Sequence, residues 1–358
     1  MTTSIDQTIA AAQEYIASRE LHQALSLLSP LVATNKNNAE LLQTLATAHL
    51  EVSALPEEHD GEAHAEKAYA YFVEAANLDD ANGKGDFEKY LWLGQLSGGR
   101  DAVEWFRKGC NGLRKDLSSE DIAEEKKIEL RKKLCDALCA SVEIWMTDLC
   151  MESEAEATCE TLITESLMID STHPESYSTL ASIRISQQRQ GDARIAVQQA
   201  WELFKSSAES QRLNQSLSVD GSDEVSQITA LKNLTRLSIE TELYDIAEDV
   251  CKRILSLDED IAEVWYLSGL ASAQKYSTSG DASTLLSAYE SFQTALELTE
   301  SNADEAEELT EELQQKIAET EAELSAKGVK YANGKAGGPR NGDDDDDDEW
   351  LDEIEDDE

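Results

Sequence analysis

The chain of 358 residues holds 74 Asp and Glu against 30 Lys and Arg, a net charge of −44. So acidic a protein repels phosphate backbones and anionic bilayer surfaces, which sets aside direct nucleic-acid and membrane binding and points to a basic partner. Four prolines and seventeen glycines are too few for an all-β chain rich in turns, no apolar run is long enough to span a bilayer, and the N-terminus lacks the basic and apolar regions of a signal peptide, so a soluble intracellular protein is expected.

In chain order, one pattern recurs. A small residue is followed four positions later by a large apolar one and three further on by a small or aliphatic one. It runs Ala24, Leu28, Leu31; then Ala68, Phe72, Ala75; Ala102, Phe106, Gly109; Cys159, Ile163, Ser166; Ala193, Val197, Ala200; Ala247, Cys251, Ile254; and Ala288, Phe292, Ala295. A small residue at the crossing lets two antiparallel helices approach, and the bulky one a turn later fills the gap. Ahead of these, Leu42-x2-Leu45-Ala46, Tyr90-x2-Leu93-Gly94 and Trp265-x2-Ser268-Gly269 read as partner helices. The pattern resembles the tetratricopeptide (TPR) repeat. That resemblance implies an all-α, right-handed superhelical solenoid of about seven degenerate repeats.

Departures from the repeat spacing mark its irregularities. Extra residues fall around Leu55 to Ala63 and Ser277 to Ser283, and Gly98-Gly99 shortens the third repeat's first helix. Ser119 to Cys150 reads as one long helix, Ser206 to Val225 as a flexible polar connection, and Gly83-Lys84-Gly85 as a turn. Ala306, Leu309, Leu313, Ile317 and Leu324 recur at helical spacing, which predicts a terminal capping helix from Ala303 to Lys327. The expected organisation is a repeat domain with its cap over 5–327, a Gly-rich linker over 328–342 and a disordered acidic tail over 343–358. That tail holds 13 acids and no base, and the rest of the chain still carries −31.

Nothing suggests catalysis. No G-x-S-x-G, P-loop or H-E-x-x-H occurs, and the cysteines at 110, 135, 139, 150, 159 and 251 form no C-x-x-C pair and have no clustered His partners. Reduced, packed thiols are expected, with no metal, no cofactor and no enzymatic activity. In TPR arrays the first helix of each repeat lines the concave face. Carrying those positions over places Asp6, Glu40, Glu51, Glu88, Asp148, Glu152, Glu175, Glu240 and Glu263 there, with Trp92, Trp145 and Tyr266 among them and Lys232 and Arg236 as the bases. Carboxylates and rings together suit an extended basic segment, through bidentate arginine contacts and cation–π stacking. One basic turn in an acidic face is a poor clamp for the acidic tails of heat-shock chaperones.

A narrower likeness lies in Ile5-Asp6-x-Thr8-Ile9-Ala10, Leu25-Ser26-Leu27-Leu28-x-Pro30-Leu31, Trp145-Met146-Thr147-Asp148-Leu149-Cys150-x-Glu152 and His173-Pro174-Glu175-Ser176-Tyr177. The tail segment Glu349-Trp350-Leu351-Asp352-Glu353-Ile354 completes it. These segments resemble the fungal assembly chaperones dedicated to ribosomal protein L-four of the large subunit. The resemblance implies co-translational capture of that basic protein, shielding of its extended loop, transient contact with pre-60S particles, and residence in cytoplasm and nucleus. Trp350, Leu351 and Ile354 are candidate anchors in the tail. A histone chaperone or general acidic escort shares the charge, and a TPR scaffold or co-chaperone adaptor shares the repeats.

Overall fold

The structure, a computed structural model, describes residues 4–55, 60–82, 87–213, 221–301 and 307–329. All regular secondary structure among the described residues is helical. The helices are α1 (Ile5–Ala17), α2 (Leu21–Leu28), α3 (Ala39–Ser53), α4 (Gly61–Asn82), α5 (Glu88–Leu96), α6 (Gly99–Leu117), α7 (Glu124–Met146) and α8 (Ala155–Ile169). They continue with α9 (Pro174–Ser186), α10 (Gln190–Leu213), α11 (Gly221–Glu240), α12 (Tyr244–Leu255), α13 (Ala262–Ser279), α14 (Ala282–Ser301) and α15 (Glu307–Ala326). The chain divides into two compact units, Met1–Ile246 and Ala247–Glu358.

In the first unit each helix packs on its successor from α1 to α11, and the first helices of successive hairpins also touch: α1 with α3, α7 with α9, α9 with α11. That second set of contacts makes a stack of hairpins rather than a string of them. The repeated small–large–small positions form its seams. Ala24, Leu28, Ala68, Phe72, Ala102, Phe106, Ala193, Val197 and Ala200 are buried in α2, α4, α6 and α10. Leu31 is the exception and is only half-buried. Pro30 has no N–H to give, so α2 ends at Leu28 and the chain passes into a 3-10 turn, Ser29–Thr34.

Three turns between first and second helices repeat one geometry that the sequence hides. Arg19, Gln188 and Glu242 adopt φ of 60°, 59° and 60°, a left-handed conformation without glycine. After each, the next N–H reaches back over the helix end: Glu20 to the Tyr15 carbonyl, Arg189 to Arg184 and Leu243 to Ser238, each at 2.8 Å. This is the Schellman closure, which satisfies carbonyls left open at a helix terminus.

The expected long helix is shorter than its sequence pattern. α7 covers only Glu124–Met146, because the chain turns before it at 118–123 and again after Thr147. The short first helix of the third repeat is present as α5, and Gly99 turns the chain into α6 at φ 57°. The polar stretch read as a flexible connection is partly helical: α10 runs on to Leu213 and α11 starts at Gly221, while 214–220 lie outside the described residues. Residues 56–59 and the turn Gly83-Lys84-Gly85 also lie outside them.

In the second unit α13 packs on α14 and α14 on α15. The extra residues near Ser277 lengthen the two helices of the pair, with Gly280 closing α13 at φ 69°. Gly269 is required by contact rather than by φ: a Cβ there would lie 2.5 Å from the Phe292 ring. Gly94 faces Phe106 in the same way at 2.8 Å. The capping helix is α15. Leu313, Ile317 and Leu324 bury against Tyr289, Phe292 and Ala295, and three of its glutamates accept tyrosine hydroxyls: Glu312 from Tyr266 at 2.5 Å, Glu323 from Tyr276 at 3.0 Å and Glu321 from Tyr289 at 3.0 Å. Of the span predicted for the cap, 303–306 lie outside the described residues, as do 330–358 with most of the expected linker, the acidic tail and its candidate anchors Trp350, Leu351 and Ile354. No helix among the described residues is long and apolar enough to cross a membrane.

Candidate functional site: an acidic face on the first helices

The sequence-predicted carboxylates fall into two groups along their helices. Asp6, Glu40, Glu88, Glu175 and Glu263 lie in the first turns of α1, α3, α5, α9 and α13. There they face the positive end of the helix dipole, so each has a local reason to be acidic. Glu51 and Glu240 lie at the opposite ends, within the last turn of α3 and at the last residue of α11. An acid beside open carbonyls is unfavourable, and neither residue makes an ion pair among the described residues. These two carboxylates serve no evident local purpose. A cationic partner would give them one.

Several predicted residues are engaged inside the protein. Asp148 Oδ2 accepts the Gly99 N–H at 2.7 Å and so caps α6 from the loop after α7. Glu152 pairs with Arg100 at 2.9 Å, tying the same loop to the same helix end. Glu88 holds Lys133 at 2.6 Å. Trp145 was expected on the open face, yet its ring is 7% exposed and packs among Val142, Ala155, Cys159, Ile163 and Ile183. Its indole nitrogen is buried without a hydrogen-bond partner among the described residues. The interface with α8 claims the ring because α7 reaches its end there and turns. Trp92 is half-buried against Leu93 and Phe72 and keeps part of its surface open. In the second unit the Tyr266 hydroxyl donates to Glu312 of the cap, and burial together with that carboxylate raises its pKa. Lys232 is half-buried and Arg236 exposed on α11; both have interaction partners.

Glu175 belongs to a buried polar network. His173 Nε2 lies 3.0 Å from Asp136 Oδ1 and 3.5 Å from Glu175 Oε2, while Nδ1 lies 2.8 Å from Ser176 Oγ, which meets Ser166 Oγ at 2.7 Å. Burial disfavours a charge on the ring, but the Asp136 hydrogen bond and the two carboxylates outweigh it and push the imidazole up to about 10. Nε2 faces Asp136 while Nδ1 caps α9, where the Ser176 N–H approaches it at 3.3 Å, so the ring joins α7, α8 and the start of α9. Ser176 is completely buried, so this carboxylate–imidazole–hydroxyl row presents no nucleophile to solvent.

Sequence reasoning missed a cation–π stack between α5 and α6. The Tyr90 and Trp105 rings stack with centroids 6.0 Å apart, and Lys108 Nζ lies 4.6 Å from the Trp105 centroid and 5.6 Å from that of Tyr90. The i, i+3 spacing of Trp105 and Lys108 on one helix was the available signal. Among the described residues no group of three or more His, Cys, Asp or Glu could hold a metal ion. Burial pushes the Cys110 thiol up to about 12 and that of Cys135 up to about 11, which leaves both unreactive.

No protein-family model matches the chain. Two curated proteins do. A protein of Schizosaccharomyces pombe named "Probable assembly chaperone of rpl4" is 33% identical over 219 residues, which cover 58% of this chain and 60% of that one. Its namesake from Emericella nidulans is 32% identical over 248 residues, covering 66% of this chain and 56% of the relative. The chain thus spans less than two thirds of the length of these relatives. Among solved structures, "Assembly Chaperone of RpL4 (Acl4)" aligns over 78% of this chain and all of that one, with a TM-score of 0.65 and 28% identity. A chain of the APC/C hetero-tetramer Cut9-Hcn1 aligns over 88% of this chain and 49% of its own at a TM-score of 0.51 and 13% identity, which is a likeness of fold. The motif resemblance to assembly chaperones of rpl4 therefore recurs in aligned sequence and in three dimensions.

Proposed function

We propose that the chain is a dedicated chaperone that holds a newly made basic ribosomal protein, L-four of the large subunit, and delivers it to pre-60S particles. The observation that carries the reading is the joint likeness, in sequence and in structure, to proteins named for that client. The physical chemistry supports it. An unassembled ribosomal protein exposes cationic segments destined for rRNA, and a surface with a large excess of carboxylates neutralises them reversibly until phosphates compete for the same cations. The role is one of binding, with no catalytic step.

Capture is proposed to occur during translation, in the cytoplasm, with handover in the nucleus. The contacts are proposed to run along the first helices, with Glu40, Glu51 and Glu240 meeting lysine and arginine and Trp92 offering a ring. Affinity purification of the tagged full chain from cells with polysomes intact, followed by mass spectrometry and RNA sequencing, tests this reading. The expected result is the basic ribosomal protein in near-stoichiometric yield with its own mRNA enriched. Histones or heat-shock chaperones as the principal partners would overturn it.

A further inference from the structure

One five-residue pattern occurs twice in the chain. Glu152-Ser153-Glu154-Ala155-Glu156 and Glu319-Thr320-Glu321-Ala322-Glu323 each set a hydroxyl among acids at −1, +1 and +3. A kinase with a basic substrate cleft selects that arrangement, because its cations pair with carboxylates on both sides of the reacting oxygen. The two copies differ only in their settings. Thr320 lies within α15, is 6% exposed and donates its hydroxyl to the Lys316 carbonyl at 2.7 Å. Ser153 is exposed in the connection between α7 and α8, beside exposed Cys150 and Glu154, and Met151 at the tip is 93% exposed. Ser118 and Ser256, exposed just past the ends of α6 and α12, have an acid at +3 but none at −1 or +1.

The surroundings of Ser153 also suit a phosphate. Its hydroxyl donates to Glu154 Oε2 at 3.0 Å, and Arg100 Nη2 reaches Oε1 of the same carboxylate at 3.4 Å and Glu152 at 2.9 Å. One guanidinium thus serves both acids that flank the serine, and its side chain is 61% exposed, open to an incoming anion. Ser153 directly precedes Glu154, the N-cap of α8, so a phosphate there faces the positive end of a helix of 15 residues.

We propose that Ser153 is a phosphorylation site for an acid-directed serine/threonine kinase, and that its phosphate takes Arg100 as partner. In the transfer Ser153 Oγ bonds to the γ-phosphorus of ATP as the bond to ADP breaks, and the hydroxyl proton passes to the catalytic aspartate of the kinase. The product carries about two more negative charges at neutral pH. In a chain with so large an excess of acids an added dianion is mostly repelled, but Arg100 and the start of α8 offset the repulsion at this position. Arg100 belongs to the start of α6 and Ser153 to the loop after α7. The new pair therefore ties that loop to α6 alongside the contact from Asp148 to the Gly99 N–H. The inference does not depend on which client the chain carries.

The test treats the full chain with casein kinase 2, ATP and Mg2+ and maps phosphate by mass spectrometry. Near-complete modification of Ser153 is expected, with Thr320 unmodified in the same sample. Relative to Ser153→Ala treated alike, the modified chain is expected to melt about 1–3 °C higher. Arg100→Gln is expected to abolish that rise, and Arg100→Lys, which keeps the charge, to retain part of it. Four results would each overturn the proposal: no phosphate on Ser153, Thr320 modified to the same extent, Ser118 or Ser256 modified in preference to Ser153, or a thermal shift indifferent to Arg100.

Discussion

At the scale of single residues, close approach and proton count govern the outcome. Gly269 and Gly94 stand where a methyl group would press into the rings of Phe292 and Phe106. Gly269→Ala is expected to lower stability by about 1–3 kcal/mol, read from chemical denaturation, and Phe292→Leu in the same chain is expected to recover part of the loss by vacating the contact. His49 shows the proton effect. Its Nδ1 lies 3.1 Å from Nδ1 of His64, so one nitrogen must donate and the other accept, and a further proton would set N–H against N–H. Burial, then His64 and Lys67, hold the His49 imidazole down to about 4. A ring whose folded pKa is depressed favours the folded state fully above its unfolded value, near 6.5, and loses that contribution as pH falls from there towards 4. The loss is on the order of 3 kcal/mol when complete. His49→Phe is expected to flatten the decline of the urea midpoint between pH 6.5 and 5 relative to wild type; parallel profiles would show that the pair carries no such linkage.

At the scale of elements, the repeats are held by seams and by turns, and only the seams show in the sequence. The small–large–small positions are buried almost without exception. The turns are closed by left-handed Arg19, Gln188 and Glu242. None of these is the glycine that would announce a helix end, so the motif was invisible until the backbone was seen. A side chain at that φ is strained. Gln188→Gly is therefore expected to stabilise the folded chain by about 0.5–1 kcal/mol, offset in part by the greater freedom glycine has when unfolded. A melting temperature that falls instead would show that the freedom glycine gains in the unfolded chain outweighs the strain it relieves. The cap illustrates the reverse case. Its apolar periodicity was plain, but that its acidic side would accept Tyr266, Tyr276 and Tyr289 hydroxyls was not, because those partners lie up to 47 residues away.

At the scale of the whole molecule, the distribution of charge matters more than its total. Carboxylates at helix starts are stabilised by the backbone; Glu51 and Glu240 at helix ends are not. Glu51→Lys with Glu240→Lys is expected to raise stability by about 0.3–1 kcal/mol per site while weakening a basic client peptide, a trade in which function costs stability. Denaturation midpoints and anisotropy with the same variant measure both sides. Reversal at Glu88, Asp148 and Glu152 is a poorer probe of binding, since it also breaks contacts with Lys133, the Gly99 N–H and Arg100. Client affinity is expected to fall steeply with salt, because exposed charges are screened over about 8 Å at physiological ionic strength.

The sequence by itself determined the fold class, the buried small–large–small positions of the repeats and the family likeness. Each of these rests on local composition or on a period that repeats along the chain, and both survive without knowledge of distant neighbours. Only the tertiary structure decided which predicted side chains remain outward. Asp148 became a cap for α6, Trp145 became core and Tyr266 became an anchor for α15, each through a partner remote in sequence.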